Sequence, residues 1–329
     1  MSGTVRFEGQ NYPLNDGETV LDTLLRNGQP IAFSCRSGLC QSCLLQAVDG
    51  ELPEAAQTGL KPTYRAQGLF LACQCRPAGT LCVRTPENAG IDTKAEIVEL
   101  SRLNATVLKV RLRPSQTFSC RPGQYLTLLA PGPIARSYSI ANDPEMEREI
   151  ELHVRLLPAG KMSHWLEHQA VPGTQVTVRG PAGSCFYTGD DNRQWPIVLA
   201  GTGTGLAPLY GILQDALSNN HRGPIQILHG ALRESDLYLQ SELTQLAAEH
   251  DNLTYSTCVL QSADGAPDAS GDIQERVLTV LKSMANDVRL YLCGAPEMVN
   301  PLKTRAFLAG VASRNIHADP FLPSVASGN

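Results

Sequence analysis

The chain has 329 residues, 42% hydrophobic and 18% charged, a composition typical of a globular protein with two or three domains. With 27 basic and 32 acidic side chains, its net charge of −5 argues against nucleic acid as a partner. No apolar run reaches membrane-spanning length and no secretory signal pattern is recognised, so we expect a cytoplasmic protein with no membrane partner and with reduced cysteines.

The first segment, residues 1–90, is predicted to form a small β-grasp domain. A short strand is expected at residues 4–7 and an amphipathic helix at 18–28, where apolar residues recur at helical spacing before an Asn-Gly stop. Further strands are expected at 44–48 and 69–72.

Three cysteines stand within nine residues of this segment, and a fourth follows after a gap of 29 residues. They are Cys35, Cys40, Cys43 and Cys73. The C-x4-C-x2-C…C spacing is typical of a plant-type [2Fe–2S] cluster, in which all four thiolates bind iron. Gly38, between the first two, allows the backbone to approach the cluster sulfurs.

Two alternatives concern these cysteines. Cys40 and Cys43 with Cys73 and Cys75 would make a tetrahedral zinc site, but this leaves Cys35 unused and does not explain Gly38. Cys75 also competes for the fourth cluster position. The apolar strand that ends just before Cys73 favours Cys73.

The second segment, residues 91–190, is predicted to be an antiparallel six-stranded β-barrel. Short β-runs at 95–100, 105–112, 125–129, 137–140, 150–154 and 175–178 are separated by proline- and glycine-containing turns. One short helix is expected at 162–168.

The third segment, residues 191–329, is predicted to be an α/β domain with a parallel sheet. Strands at 196–200, 225–229, 253–259 and 289–293 alternate with helices at 206–217, 237–249, 273–281 and 296–309. The first strand leads into a glycine-rich turn at 201–205, which suits a pyrophosphate at a helix N-terminus. The turn alone is a weak signal, and a tight turn without a ligand is the alternative.

Several motifs in order give the chain its resemblance to a known family. They are Arg-Ser-Tyr-Ser at 136–139, Gly-Lys-Met-Ser at 160–163, Gly-Pro-Ala-Gly at 180–183, Gly-Thr-Gly at 203–205 and Cys-Gly at 293–294. The chain resembles the ferredoxin–NADP reductase superfamily. Over its whole length it is similar to reductase components of bacterial oxygenases, such as those of benzoate dioxygenase and phenol hydroxylase, which combine a plant-type ferredoxin, a flavin domain and a nicotinamide domain.

The resemblance implies FAD as a cofactor and assigns residues to its site. The flavin-site residues it implies are Arg136, Ser137, Tyr138, Ser139, His153, Val154, Arg155, Gly160, Lys161, Met162 and Ser163. Arg136 is expected to pair with the flavin pyrophosphate and Ser139 to lie near flavin N5, as a catalytic residue. A surface ion pair is the alternative for Arg136 considered by itself.

The resemblance also implies a nicotinamide nucleotide. Its site would comprise Gly203, Thr204, Gly205, Pro208, Arg233, Cys293 and Gly294, with Cys293 beside the reacting ring as the second catalytic residue. Asp319 and Phe321 have the spacing of an acidic–aromatic pair that lies over the flavin; the alternative is a final strand with a buried Phe. Glu234 and Asp236 oppose a 2′-phosphate, so NADH is favoured and NADPH is the alternative.

These assignments predict an NADH-dependent reductase in which electrons pass through FAD and the cluster to an external acceptor, expected to be an oxygenase component. A reductase that supplies a deoxysugar dehydratase is one alternative. A non-catalytic iron–sulfur redox-sensing module is the other.

Overall fold

Three β-sheets follow one another along the chain. The computed structural model describes residues 3–86, 92–189, 193–261, 271–284 and 287–322. In these parts of the chain, no helix has the length and apolar character needed to cross a membrane. The domain boundaries predicted at 90/91 and 190/191 lie outside the described residues and stay predictions.

The first sheet is mixed and packs against one main helix. Its elements are β1 Thr4–Phe7, β2 Gln10–Pro13, α1 Val20–Arg26, β3 Leu44–Asp49, α2 Pro62–Ala66, β4 Leu69–Leu71 and β5 Thr80–Arg84. The strand order is β2-β1-β5-β3-β4, with β1 and β5 parallel. Thr19 begins α1 in a capping box with Asp22, and Leu21 and Leu24 are fully buried. The predicted β-grasp fold is confirmed.

The second sheet is antiparallel and curls into a barrel. Its elements are β6 Asp92–Arg102, β7 Val107–Pro114, β8 Tyr125–Leu129, β9 Ala135–Ser139, α3 Pro144–Glu147, β10 Ile150–Arg155, α4 Lys161–His168 and β11 Gln175–Ala182. The order is β10-β7-β6-β11-β8-β9. A bridge between Ile140 and Leu152 joins the two outer strands, so the six-stranded barrel is confirmed.

The third sheet is parallel throughout. Its elements are β12 Ile197–Thr202, α5 Leu206–Ser218, β13 Ile225–Arg233, α6 Gln240–Glu249, β14 Leu253–Gln261, α7 Ile273–Ser283, β15 Arg289–Gly294, α8 Pro296–Leu308 and β16 Ile316–Pro320. The strand order is β14-β13-β12-β15-β16. From β12 the chain first adds β13 and β14 on one side of the sheet and then β15 and β16 on the other, so a topological switch point lies between β12 and β15. Ligands bind at such a switch point, beyond the carboxyl ends of the strands.

Two predicted elements differ from the structure. The helix expected at 237–249 begins only at Gln240, because Leu239 adopts a left-handed conformation (φ 55°) and Tyr238 turns into the barrel interface, where its hydroxyl lies 3.2 Å from His153 Nδ1. Residues 316–320 do form a final strand, but the following Phe321 is half-buried rather than buried.

Candidate functional site

The four predicted cluster ligands lie together as two pairs. Cys35, Cys40 and Cys43 are on the loop before β3, which we call the cluster loop (residues 35–43), and Cys73 follows β4. The N–H of Cys35 donates to Cys40 Sγ and the N–H of Cys40 to Cys35 Sγ, both at 3.4 Å. The thiols of Cys43 and Cys73 contact each other. Two thiol pairs suit a cluster whose two irons each take two thiolates.

Cys75 stands apart from these pairs. Burial alone raises the pKa of its thiol to about 12, whereas hydrogen bonds with the partner thiols of Cys40 and Cys43 lower the pKa values of Cys35 and Cys73. Its carbonyl accepts the N–H of Val20 at 2.9 Å, which ties it to the helix. The arrangement therefore favours the cluster, with Cys73, over the zinc alternative.

A cavity of about 960 Å³ connects the three domains. The cluster loop contributes Cys35, Leu39 and Cys40 to its lining, the barrel contributes β9 and β10, and the third sheet contributes its carboxyl ends. This volume lies near the upper end of the range of small-molecule sites, about 300–1,000 Å³.

Strand β9 presents its four predicted flavin residues to the cavity: Arg136, Ser137, Tyr138 and Ser139. The Arg136 guanidinium donates to the Phe33 carbonyl at 3.3 Å and, among the described residues, has no carboxylate partner. It is therefore not a surface ion pair. Burial raises the pKa of the Tyr138 hydroxyl, and Ser139 is only 6% exposed.

The predicted flavin-phosphate turn lies at the start of α4. Ser163 Oγ lies 3.1 Å from the Leu157 carbonyl and 3.0 Å from the Gly160 carbonyl, and accepts the Leu157 N–H at 3.2 Å. A Cβ on Gly160 would stand 2.3 Å from that hydroxyl, so the turn requires glycine. Met162 also borders the cavity, whereas Val154 is buried in the barrel core and Lys161 lies outside the lining.

His153 and Arg155 link the barrel to the third domain. His153 borders the cavity, but its ring nitrogens lie 2.9 Å from Glu151 Oε1 and 3.2 Å from Tyr238 Oη. Arg155 Nη1 lies 3.8 Å from the position that a Cβ on Gly203 would take. The guanidinium therefore stands beside the nucleotide turn and suits a diphosphate there.

The nucleotide turn is built on close contact between two strand ends. Gly203 (φ +54°) and Thr204 line the cavity. A Cβ on Gly205 would stand 2.2 Å from the Cys293 carbonyl, and one on Gly294 would stand 2.7 Å from the carbonyl that ends β12. Glycine at both positions lets β12 and β15 meet at the switch point, which leaves backbone groups facing the ligand.

The remaining nucleotide-site residues divide into two groups. Gly294, Asp319 and Phe321 line the cavity, and the Phe321 N–H donates to the Gly294 carbonyl at 2.7 Å. Burial raises the pKa of the Asp319 carboxyl to about 6. Gly205, Pro208, Arg233 and Cys293 lie outside the lining.

Cys293 stands directly behind the cavity wall. It is fully buried, its Sγ lies 3.6 Å from Cys185 Sγ, and burial raises the pKa of its thiol. A neutral, buried thiol of this kind supports the residues that line the cavity and does not act as a nucleophile.

Sequence reasoning missed some lining residues: Leu39, Thr202, Asp272 and Ala295. Two of them carried a usable signal, since Thr202 ends β12 and Ala295 follows β15 at the carboxyl edge of a parallel sheet. Leu39 and Asp272 carried none.

Comparisons with known proteins match each domain. A 2Fe-2S iron-sulfur cluster binding domain matches residues 4–78, an oxidoreductase FAD-binding domain 94–187 and an oxidoreductase NAD-binding domain 199–304. The reductase component of the naphthalene 1,2-dioxygenase system, a ferredoxin–NAD(P)+ reductase of Pseudomonas putida, is 31% identical over 94% of this chain and 95% of its own. The chain belongs to this family of iron–sulfur flavoprotein reductases.

Further relatives of this reductase cover almost its whole length. The reductase subunit of an aromatic O-demethylase of Amycolatopsis is 31% identical over 98% of this chain and 100% of its own. The crystal structure of an Amycolatopsis cytochrome P450 reductase superposes with a TM-score of 0.68 at 29% identity, covering 98% of this chain and 99% of that one. The reductase is an NAD(P)H-dependent oxidoreductase with a [2Fe–2S] cluster, FAD and NAD(H) as its cofactors.

Replacing Cys73 tests the ligand assignment. Cys73→Ser should lose the cluster, because Cys43 loses its partner thiol, while Cys75→Ser should keep it. Iron and acid-labile sulfide content, with the visible spectrum, measure this directly. A variant pair with the opposite behaviour would show that Cys75 is the fourth ligand.

Asp319→Asn tests the burial of this carboxyl. The pKa of this carboxyl is raised to about 6 in the folded state. The folded state therefore loses stability as pH rises above the pKa of the unfolded state, and the loss is complete once pH exceeds the folded-state pKa. Asp319→Asn should therefore be more stable than wild type by roughly 1–2 kcal/mol at pH 8, after a discount for partial exposure, with little difference at pH 4. Thermal unfolding at both pH values measures it, and an equal difference at both would contradict the assignment.

Proposed function

We propose that this reductase takes electrons from NADH, passes them through FAD to its own [2Fe–2S] cluster and delivers them to an oxygenase component. The observation that carries the proposal is that one cavity is bordered by two cluster cysteines, the Arg-Ser-Tyr-Ser strand and the nucleotide turn. A ligand lying along this cavity contacts the nicotinamide site at one end and the cluster loop at the other.

The chain's own residues bind and orient the two nucleotides. Arg136 and Arg155 supply positive charge to diphosphate groups, and the backbone of the 203–205 turn supplies N–H donors. Ser139 on β9 and Asp319 on β16 both line the cavity, and we assign both to the place where a nicotinamide approaches the flavin. When bound, FAD exchanges the two-electron chemistry of NADH for the one-electron chemistry of the cluster.

The external acceptor is proposed from the relatives. One relative serves the naphthalene 1,2-dioxygenase system and another is named as a cytochrome P450 reductase. These names favour an oxygenase over a deoxysugar dehydratase and favour catalysis over redox sensing. The first 90 residues carry 7 basic and 8 acidic side chains, so we expect docking by local shape more than by long-range attraction. We place this function in the cytoplasm.

The preference for NADH rests on the charge of one part of the cavity lining, which we call the β13–β14 end. This end is formed by the ends of β13 and β14 and the start of α7, and it includes the carboxylates Asp236 and Asp272. No Arg or Lys is among the described residues that line this end, and Arg233 lies outside the lining. A carboxylate accepts a hydrogen bond from the ribose 2′-hydroxyl of NADH and repels the 2′-phosphate of NADPH.

Anaerobic mixing with NADH tests the proposed function. NADH should bleach the flavin and cluster absorbance of the wild-type protein within the turnover time, whereas NADPH should do so much more slowly. Asp236→Ala should reduce the ratio of the bleaching rates with NADH and NADPH by on the order of tenfold. The change should come from faster bleaching by NADPH, because one charge that repels its 2′-phosphate is removed. Glu249→Ala, an exposed carboxylate on α6, is the matched control. A protein whose colour NADH leaves unchanged would contradict the proposal.

A further inference from the structure

The cluster loop is fastened to the barrel by a row of side-chain donors. Four consecutive carbonyls, those of residues 39–42, each accept a hydrogen bond from a barrel side chain. Tyr125 Oη donates to the carbonyl of residue 39 at 2.9 Å and Thr127 Oγ1 to that of residue 40 at 2.7 Å. Arg179 Nη1 donates to the carbonyls of residues 41 and 42, both at 3.2 Å.

Two of these donors are buried and lie opposite each other. Thr127 on β8 and Arg179 on β11 are directly paired in the antiparallel ladder, so their side chains share one face of the barrel. Thr127 is 1% exposed and Arg179 is 7% exposed. Hydrogen bonds this well shielded from water are not weakened by solvent competition.

Arg179 is held in place by Asp92. Its Nε and Nη2 donate to the two carboxylate oxygens of Asp92 at 2.7 and 3.0 Å, a bidentate pair. The pair satisfies the buried charge and leaves Nη1 free for the cluster loop. Asp92 opens β6, so one guanidinium joins the first strand of the barrel, its β11 strand and the cluster loop.

This fastening acts on the part of the loop that carries the cluster. Residues 39–42 include the ligand Cys40 and precede the ligand Cys43. Cys35 and Cys40 border the same cavity as Ser137, whose hydroxyl lies 3.1 Å from Thr127 Oγ1. The distance from the cluster to the flavin site therefore depends on where these carbonyls are held.

We infer that Thr127 and Arg179 are positioning residues that hold the cluster at a fixed distance from the flavin site and thereby set the rate of flavin-to-cluster electron transfer. The inference rests on the electron path of the proposed function. Electron transfer between fixed centres falls steeply with distance, so an outward shift of the loop slows this step. Neither residue lines the cavity, so we expect the reduction of flavin by NADH to change much less than the reduction of the cluster.

Three variants of the holoenzyme and one control test the inference. Thr127→Val removes the donor at constant shape, and Thr127→Ser restores it. Arg179→Lys keeps the charge beside Asp92 but loses the planar fork that reaches the loop. Thr177→Val is the control, because Thr177 lies on β11 with Arg179. Among the described contacts, its hydroxyl only accepts a hydrogen bond from the Lys94 ammonium, at 3.1 Å.

Stopped-flow spectroscopy with NADH separates flavin reduction from cluster reduction. In Thr127→Val and Arg179→Lys, cluster reduction should slow several-fold with little change in the rate of flavin reduction, because the loosened loop lengthens the path from flavin to cluster. Thr127→Ser and Thr177→Val should match wild type. Hydrogen–deuterium exchange of residues 36–44 should rise in the two slow variants only, which reports the loosened loop independently of turnover.

The outcomes separate the claims. Equal cluster reduction in all variants overturns the inference alone, and so does a slowed rate accompanied by a shifted cluster midpoint potential, because driving force then explains it. If Arg179→Lys does not fold, Thr127→Val and Thr127→Ser decide. If NADH fails to reduce the wild-type cluster, the proposed function falls and takes the inference with it.

Discussion

A loop that wraps an iron–sulfur cluster cannot satisfy its own backbone. N–H groups of the cluster loop, including those of Cys35, Ser37 and Cys40, point at cysteine sulfurs. Its carbonyls must then find donors elsewhere, because buried backbone acceptors are almost always hydrogen-bonded. The barrel supplies those donors from β8 and β11. The need to satisfy four carbonyls therefore fixes the first domain against the second, and places the cluster beside the flavin site.

Elements of all three domains shape the cavity. The barrel contributes β9 and β10 to its lining, the first domain contributes the cluster loop, and the parallel sheet contributes its carboxyl ends. Glycines 205 and 294 let β12 and β15 approach closely enough for backbone groups to face a diphosphate. One continuous space then accommodates a two-electron donor at one end and borders a one-electron carrier at the other, which is the arrangement that electron transfer from NADH requires.

Much of this was predictable from local sequence. Cysteine spacing, strand periodicity in the barrel and the strand–turn–helix unit at β12 are local signals, and the structure has the predicted β-grasp, barrel and parallel-sheet domains. Most of the predicted flavin residues do line the cavity. Val154 and Lys161 do not, because neighbours on a strand or helix point to different sides and a motif does not say which side faces the ligand.

The interactions between domains were not predictable in this way. In the sequence, nothing distinguishes Thr127 and Arg179 from other threonines and arginines on strands. Their role is visible only in the fold, where both donate hydrogen bonds to the cluster loop. The late start of α6 has the same origin, since Tyr238 leaves the helical pattern to meet His153 across a domain interface. Within the first domain, the strand that ends just before Cys73 already favours Cys73 over Cys75 in the sequence, but the contact between its thiol and Cys43 is visible only in the folded chain.

We propose that electrons reach the cluster from NADH only through the flavin. Removing FAD from the purified protein while retaining the cluster, followed by anaerobic addition of NADH, tests it most directly. We expect no bleaching of the cluster absorbance until FAD is restored, and rapid bleaching thereafter. Reduction of the cluster by NADH in the FAD-free protein, or its failure after FAD has been restored, would contradict the account.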